Sequence, residues 1–328
     1  MTLKEINNAI KKKYRVAVQM DDPYQLDKKS DSTFAIIEEA MKRNFEVFIY
    51  TVNNLSLIDN KPKATGNNIL KIDIKKEKYI TLDRKRNILL EKFDFILVRQ
   101  DPPFNMNYIT ATHLLEKIKS VTKILNNPAS IRNCPEKLFV MDFYHLMPPT
   151  TITKNNSDLE FFLKLHKKAV IKPLFGNGGK DVFLLDHKDP NKKVIIEKLL
   201  LDGEHLIIQK FLKKVSLGDK RILFIDGNPV GAINRVPNKN EIRANLHIGA
   251  KPKKIKLTKR DLKLCDEVGP FLKAKGLFFA GIDIIDGHLT EINVTSPTCI
   301  REIDFHNKTN ISEIFWNKAL ELEQFNSI

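Results

Sequence analysis

The sequence is poor in cysteine, tryptophan and arginine, with three, one and eleven in 328 residues. Cys134, Cys265 and Cys299 lie far apart, with no CxxC pair and no even set. That excludes a disulfide-stapled scaffold and leads us to expect a reduced, cytoplasmic protein. No apolar run approaches the ~20 residues a membrane-spanning helix needs, so no membrane partner is expected. Residues 1–13 lack a secretory apolar block and contain Glu5, so no targeting peptide is expected there. Hydrophobic residues are 42% and charged residues 29% of the chain, which excludes wholesale disorder. At ~150 residues per domain, the length predicts about two domains.

Lysine is what the chain has in excess. With 44 Lys, 11 Arg and 40 acidic residues the net charge is +15. A basic chain can bind nucleic acid, yet these lysines are spread over 11–13, 61–78 and 251–259 without interleaved aromatics or a base-reading motif. Beside abundant Asn and Ile they read as a compositional habit, and no nucleic-acid partner is expected. The scarce arginines are more informative, because a planar fork can grip carboxylate or phosphate.

The pattern predicts an α/β (α+β) chain. A buried strand over 14–20 precedes an amphipathic helix over 31–43, with Phe34, Ile36, Ile37 and Ala40 on one side and Asp31 or Ser32 as cap. Strands over 46–50, 93–98 and 123–125 alternate with a helix over 107–119, the rhythm of a parallel, Rossmann-like sheet. Between them, 56–81 reads as irregular hairpin material. Further on, helices are expected over 136–144 and 158–166, and strands over 150–153, 169–174 and 182–185. Strands over 206–211, 221–225 and 230–234 follow. A polar loop over 238–251, a strand-like 254–257, a helix over 259–275, a hairpin over 278–294 and two helical stretches complete the reading.

Gly176, Gly178 and Gly179 lie in a turn between two strands. Alone this is a hairpin turn or an anion-cradling nest, and it is neither a Walker A loop nor a G-x-G-x-x-G fingerprint. Lys172, set among Val170, Ile171, Pro173 and Leu174, would be buried without a partner unless it meets an anion. Asp283, Glu291 and Asn293 are the most pointed group, since two carboxylates and an amide suit a hard cation. A three-residue turn at 286–288 would bring Asp283 opposite Glu291, whereas a two-residue turn would put them on opposite faces. The alternative is a solvent-facing side of a hairpin. Arg221 and Arg235 end strands, and Arg99 follows the strand ending at Val98, where parallel sheets bind ligands. The histidines show no metal-ligand spacing, and Cys299, without an evident base, reads as structural.

Taken in order, these blocks resemble the bacterial (prokaryotic-type) glutathione synthetase family of ATP-grasp ligases. The likeness runs from residue 14 almost to the end. It is carried by Asp101-Pro-Pro-Phe104, Glu136-Lys-Leu-Phe139, Lys172-Pro-Leu174 with the glycine loop, Gly218-Asp-Lys-Arg221, and above all residues 289–302, LTEINVTSPTCIRE. The resemblance implies an extension over 1–13, a Rossmann-like substrate-binding domain over 14–130 and an ATP-grasp central or lid domain over 131–204. An ATP-grasp C-terminal antiparallel-sheet domain over 205–328 would follow, with a flexible loop at 238–251.

It also implies a reaction: γ-glutamylcysteine and glycine joined at the expense of ATP through an acyl phosphate. Asp283, Glu291 and Asn293 would hold Mg²⁺, or Mn²⁺ in its place. Lys137, Lys172, Gly176, Gly178 and Gly179 would contact phosphates, and Gln209, Lys210, Phe211 and Leu212 the adenine. Arg221 and Arg235, with Lys172, would face the transferring phosphate. Ser32, Arg99, Thr295, Ser296 and Pro297 would contact the dipeptide, and Arg243 and Asn245 would reach from the loop towards bound substrate. A cytoplasmic homotetramer is the family's habit. Phe175 and Lys210 depart from the family's usual Asp and Asn, and the 238–251 loop carries fewer glycines than usual. Another ATP-grasp carboxylate–amine ligase and a phosphate- or RNA-binding module are the alternative readings.

Overall fold

The computed structural model describes residues 13–176, 178–239 and 241–324, so the expected extension, apart from Lys13, and Asn177 of the glycine loop lie outside the described residues. Strand β1 (Arg15–Gln19) is buried along nearly its whole length, as a central parallel strand must be. Helix α1 (Ser32–Lys42) follows, capped by the Asp31 carboxylate, which accepts from the Phe34 N–H at 2.8 Å. β2 (Glu46–Tyr50), β3 (Leu55–Ile58), β4 (Lys61–Ile72), β5 (Ile80–Leu82), β6 (Arg86–Leu89), β7 (Phe95–Val98) and β8 (Lys123–Leu125) complete one sheet of order β3-β4-β2-β1-β7-β8, with β5 and β6 paired to β4. β2-β1-β7-β8 is parallel, and α2 (Met106–Glu116) connects its last two strands.

The expected irregular stretch over 56–81 is instead a set of antiparallel strands dominated by β4. The buried positions of β4 include Pro62, Ala64, Gly66 and Asn68, so the period-two signal is nearly free of large apolar residues. Gly66 is compelled by contact: a Cβ there would stand 2.1 Å from the Ile49 carbonyl oxygen.

Short helices α3 (Pro128–Asn133) and α4 (Glu136–Phe139) lead away from this sheet, and the helix expected over 136–144 continues past Phe139 as a 3₁₀ turn. The second layer is an antiparallel sheet of order β11-β10-β12-β9, from β9 (Thr150–Thr153), β10 (Lys168–Pro173), β11 (Phe183–Asp186) and β12 (Leu206–Lys210). Helices α5 (Asn156–His166) and α6 (Lys192–Leu200) cover it, through Leu159, Phe162, Leu163 and Ile196.

The third layer, of order β15-β14-β13-β16-β17, is antiparallel throughout. It comprises β13 (Asp219–Ile225), β14 (Asn228–Val236), β15 (Lys251–Lys253), β16 (Phe279–Ile285) and β17 (His288–Asn293). The strand expected over 254–257 thus falls earlier, at β15. Helix α7 (Lys259–Ala274) begins at a capping box between Thr258 and Asp261 and packs Leu264, Cys265, Val268 and Leu272 on this sheet.

Two last helices, α8 (Ile300–Asn307) and α9 (Ile311–Gln324), return to the first domain. Ile303, Phe315 and Trp316 share one core with Phe34, Ile37 and Phe95, and Trp316 Nε1 donates to the Ile36 carbonyl at 2.9 Å. Asn126 pins the same seam: its amide donates to the Phe279 and Val294 carbonyls at 2.8 Å each and accepts from Phe279 N–H at 2.7 Å. These contacts fix the third sheet against the crossover end of the first.

Candidate active site

A cavity of about 440 Å³ opens between the second and third sheets. The charged centre is built by strand register. Arg221 on β13 and Asp283 on β16 are direct partners, and the guanidinium grips the carboxylate with two of its nitrogens, Nε at 2.6 Å and Nη2 at 2.9 Å. Asp219 pairs in register with Arg235 on β14, whose Nη2 lies 2.6 Å from Asp219 Oδ2 and 3.0 Å from Asp283 Oδ1. Lys172 crosses from β10 to donate to Glu291 Oε1 on β17 at 2.6 Å. Asn293 Nδ2 donates to Asp283 Oδ2 at 3.2 Å.

Asp283 does oppose Glu291, but by a route the sequence reading did not contain. The turn has two residues, Asp286 and Gly287, both at positive φ, as such hairpin turns require. A bulge then lets Thr290 and Glu291 together face Asp283. Thr290 Oγ1 fastens it by donating to the Asp283 carbonyl at 3.1 Å.

Burial works against charge throughout, and the partners decide the outcome. Burial pushes the Asp283 carboxyl up, but Arg221 and Arg235 together hold it well below the usual carboxylate range. Glu291 is likewise lowered against its burial by Lys172 and Lys137. Asp219 goes the other way: burial, only partly offset by Arg235, pushes it up to about 7. Burial lowers the Lys137 ammonium, and its Nζ donates to the Gly176 carbonyl. Asp219 Oδ1 and Arg235 Nε are buried without a hydrogen-bond partner among the described residues, so the cluster has polar capacity left for a ligand.

The glycine loop forms the cavity's rim. Gly178 and Gly179 have φ of +62° and +77°, and a Cβ on Gly179 would stand 3.3 Å from both Arg243 and Asn245. Arg243 reaches over from the 238–251 loop, donating from Nη1 to the Gly179 carbonyl at 3.1 Å while Glu241 Oε1 and Oε2 accept from Nε and Nη2. Phe175, just before the loop, stacks on Phe104 with centroids 6.1 Å apart. Deeper in, Val170, Val182, Phe211, Leu212, Val215 and Ile285 make an apolar slot. Gln209 lines it too, though its amide is spent on Thr150 Oγ1 at 3.1 Å.

Most of the expected site residues therefore meet in one cavity: Lys137, Lys172, Gly176, Gly178, Gly179, Gln209, Lys210, Phe211, Leu212, Arg221, Arg235, Arg243, Asn245, Asp283, Glu291, Asn293, Thr295 and Ser296. Ser32, Arg99 and Pro297 are not on its wall. Ser32 Oγ accepts from Ile300 N–H at 3.1 Å, and Arg99 Nη2 donates to the Pro297 carbonyl at 2.9 Å. They join the first domain to the segment after β17. Ser296 Oγ, donating to the Arg99 carbonyl at 3.3 Å, ties that segment to the cavity wall.

Several lining residues were not expected: Asp101, Glu136, Asp219, Thr290 and Cys299. Cys299, read as structural, is buried, lines the cavity and stands at the N-terminal boundary of α8 at a φ of +89°, without a side-chain capping bond. Among the described residues no three His, Cys, Asp or Glu gather as a metal site. The set here is instead two carboxylates and an amide, hard oxygen donors whose chemistry fits a hard divalent cation.

Residues 14–132 match the family described as prokaryotic glutathione synthetase, N-terminal domain, and residues 136–308 match its ATP-grasp domain. The chain is 46% identical over 304 residues to a glutathione synthetase of Brucella melitensis biotype 1, covering 92% of this chain and 97% of that protein. It is 39% identical over 293 residues to a glutathione synthetase of Escherichia coli O127:H6, covering 88% and 92%. Among solved structures it shares the fold of the D-cycloserine synthetase DcsG, with a TM-score of 0.62 at 16% identity, covering 92% and 99%. It also shares that of the D-alanine–D-alanine ligase from Bacillus anthracis complexed with ATP, with a TM-score of 0.58 at 16% identity, covering 95% and 99%.

Proposed function

Since the chain belongs to the prokaryotic glutathione synthetase family and is an ATP-dependent carbon–nitrogen ligase, we propose how its own residues divide the work of joining γ-glutamylcysteine to glycine. The observation that carries the reading is the ion-paired cluster of Lys172, Arg221 and Arg235 with Asp219, Asp283 and Glu291. A carboxylate is a poor electrophile, so the cysteine carboxylate first attacks the γ-phosphorus of ATP, and ADP departs. The glycine nitrogen then attacks the acyl phosphate and displaces phosphate. Phosphoryl transfer needs positioning and charge neutralisation above all.

Lys172, Arg221 and Arg235 are assigned to the transferring phosphate, and their present carboxylate partners would exchange part of that contact when substrate enters. Asp283, Glu291 and Asn293 would hold Mg²⁺, with Mn²⁺ a workable substitute; the bound ion neutralises triphosphate oxygens. Lys137 and the backbone of Gly176, Gly178 and Gly179 would take the remaining phosphates, and Gln209 to Leu212 with the apolar slot would take the adenine. Arg243, Asn245, Thr295 and Ser296 would meet the dipeptide or acceptor directly. Ser32, Arg99 and Pro297 would act from behind, by holding the Thr295–Ser296 segment in place.

The domain division proposed is 14–130, 131–204 and 205–328, with 238–251 as the cover that keeps water from the acyl phosphate. A cytoplasmic homotetramer is proposed with it, in keeping with reduced cysteines. Among the described residues no helix is long and apolar enough to cross a membrane. The test is a matrix of γ-glutamyl peptides and amino acids scored for ATP-dependent phosphate release. γ-Glutamylcysteine with glycine should be fastest, and a clear preference for another pair would displace this reading.

A further inference from the structure

Five acidic side chains line the cavity: Asp101, Glu136, Asp219, Asp283 and Glu291. Three of them are ion-paired at 2.6–3.0 Å with Arg221, Arg235 or Lys172. Asp101 is exposed to solvent. Glu136 is the exception: it is partly buried, yet among the described residues it has no ion pair. Thr295 Oγ1 donates to its Oε1 at 2.8 Å and orients it, while Oε2 accepts no hydrogen bond among the described residues. Burial raises this carboxyl, and Lys137 with the Thr295 hydrogen bond offsets that only in part, so a cation entering the cavity would complete its neutralisation.

The position of Glu136 says which cation. It precedes Lys137, whose ammonium reaches the glycine loop, and Glu291 and Arg221 are near enough to bias its ionisation. It therefore stands at the phosphate end of the cavity, where the acyl phosphate has to form and the acceptor has to approach. We propose that Glu136 receives the ammonium group of the acceptor amino acid and takes its proton. This rests on the assignment of γ-glutamylcysteine and glycine as substrates.

The step balances. The acceptor ammonium gives one proton to the Glu136 carboxylate, and the nitrogen lone pair forms the C–N bond at the acyl carbon as the C–O bond to phosphate breaks. The second proton lost by nitrogen leaves on the phosphate, as hydrogen phosphate. Glu136 returns its own proton to water when product departs. Burial raises the Glu136 carboxyl, which makes it the better acceptor for that proton near neutrality.

Hydroxylamine separates this role from the first half-reaction, because it is uncharged at pH 7.5 and traps acyl phosphates as hydroxamates without needing an ammonium site. With ATP, Mg²⁺ and γ-glutamylcysteine, Glu136→Gln should lose about a hundredfold in kcat/KM for glycine while its hydroxamate formation stays close to that of the unmodified enzyme. Equal losses with both nucleophiles in a folded variant, or no loss with glycine, would overturn the proposal. If circular dichroism shows Glu136→Gln unfolded, Glu136→Asp decides: withdrawing the carboxylate by one methylene should give the same selective loss in smaller measure, and an unselective change counts against the proposal. If the unmodified enzyme yields neither hydroxamate nor ADP with γ-glutamylcysteine, the substrate assignment falls and the proposal with it.

Discussion

Asp219 and Asp283 share one counter-ion: Arg235 Nη2 lies 2.6 Å from the first and 3.0 Å from the second. Asp283 also has two nitrogens of Arg221 and stays ionised, whereas Asp219 must do with half of Arg235 and is pushed up. One strand register thus gives two carboxylates of opposite tendency a few ångströms apart.

Removing the charge of Asp283 should therefore hurt twice. Asp283→Asn leaves Arg221 buried without a full partner, and apo stability should fall by about 3 kcal/mol. Glu291→Gln frees only Lys172 and should cost less stability. Both should lower kcat by about a hundredfold or more, the scale of losing one preorganised electrostatic contact. Urea melts and steady-state assays with Mg²⁺ check this, and near-normal turnover would end the metal assignment.

Trypsin can report on the loop over 238–251. Arg243 now bridges Glu241 and Gly179, so a cover built on it should tighten when ATP and dipeptide are bound. Cutting at Lys239 and Arg243 should slow with ATP, Mg²⁺ and γ-glutamylcysteine together. An unchanged rate, with normal turnover in Arg243→Ala, would mark this loop as idle.

The three thiols should be nearly inert in the native protein. Burial pushes Cys134 up to about 11 and Cys265 up to about 12, and raises Cys299 as well. Because thiolate is the reactive form, raising these values suppresses reaction at pH 8, and reactivity should climb only as pH approaches the raised values. Titration with a disulfide reagent before and after unfolding measures it. Reaction of all three thiols at the unfolded rate in native protein would contradict the burial.

Gly66→Ala should reduce stability without touching the chemistry. The added methyl meets the Ile49 carbonyl at 2.1 Å and Phe48 at 2.8 Å, and such overpacking costs typically 1–3 kcal/mol. The lowered melting temperature should accompany unchanged kcat at 25 °C.

Much of this molecule was legible in its residues, and the failures have physical causes. Strand alternation placed Glu291 and Asn293 together, but the bulge at Thr290 has no signature in side-chain type. Glu136 and Asp219 went unassigned because each adjoins a basic motif residue, and an acid beside Lys or Arg reads as solvated charge. Register counting along β13 and β14 could have exposed Asp219 by pairing it with Arg235. β4 stayed hidden because its buried face is made of Pro, Ala, Gly and Asn. Arg99 does follow the carboxyl end of β7, but it bonds to Pro297, and Ser32 bonds to Ile300, so both meet the segment after β17 instead of the cavity.

The return of α8 and α9 to the first domain bears on how the chain acquires its structure during synthesis. Phe34, Ile37 and Phe95 emerge early from the ribosome, but Phe315 and Trp316, which close the same core, are made only after both other sheets. Domains ordinarily fold in the order of their translation. Here the core of the first domain cannot close until α9 has been made. The sole tryptophan of the chain sits at that late contact, so its fluorescence times the completion of the first domain rather than of the last.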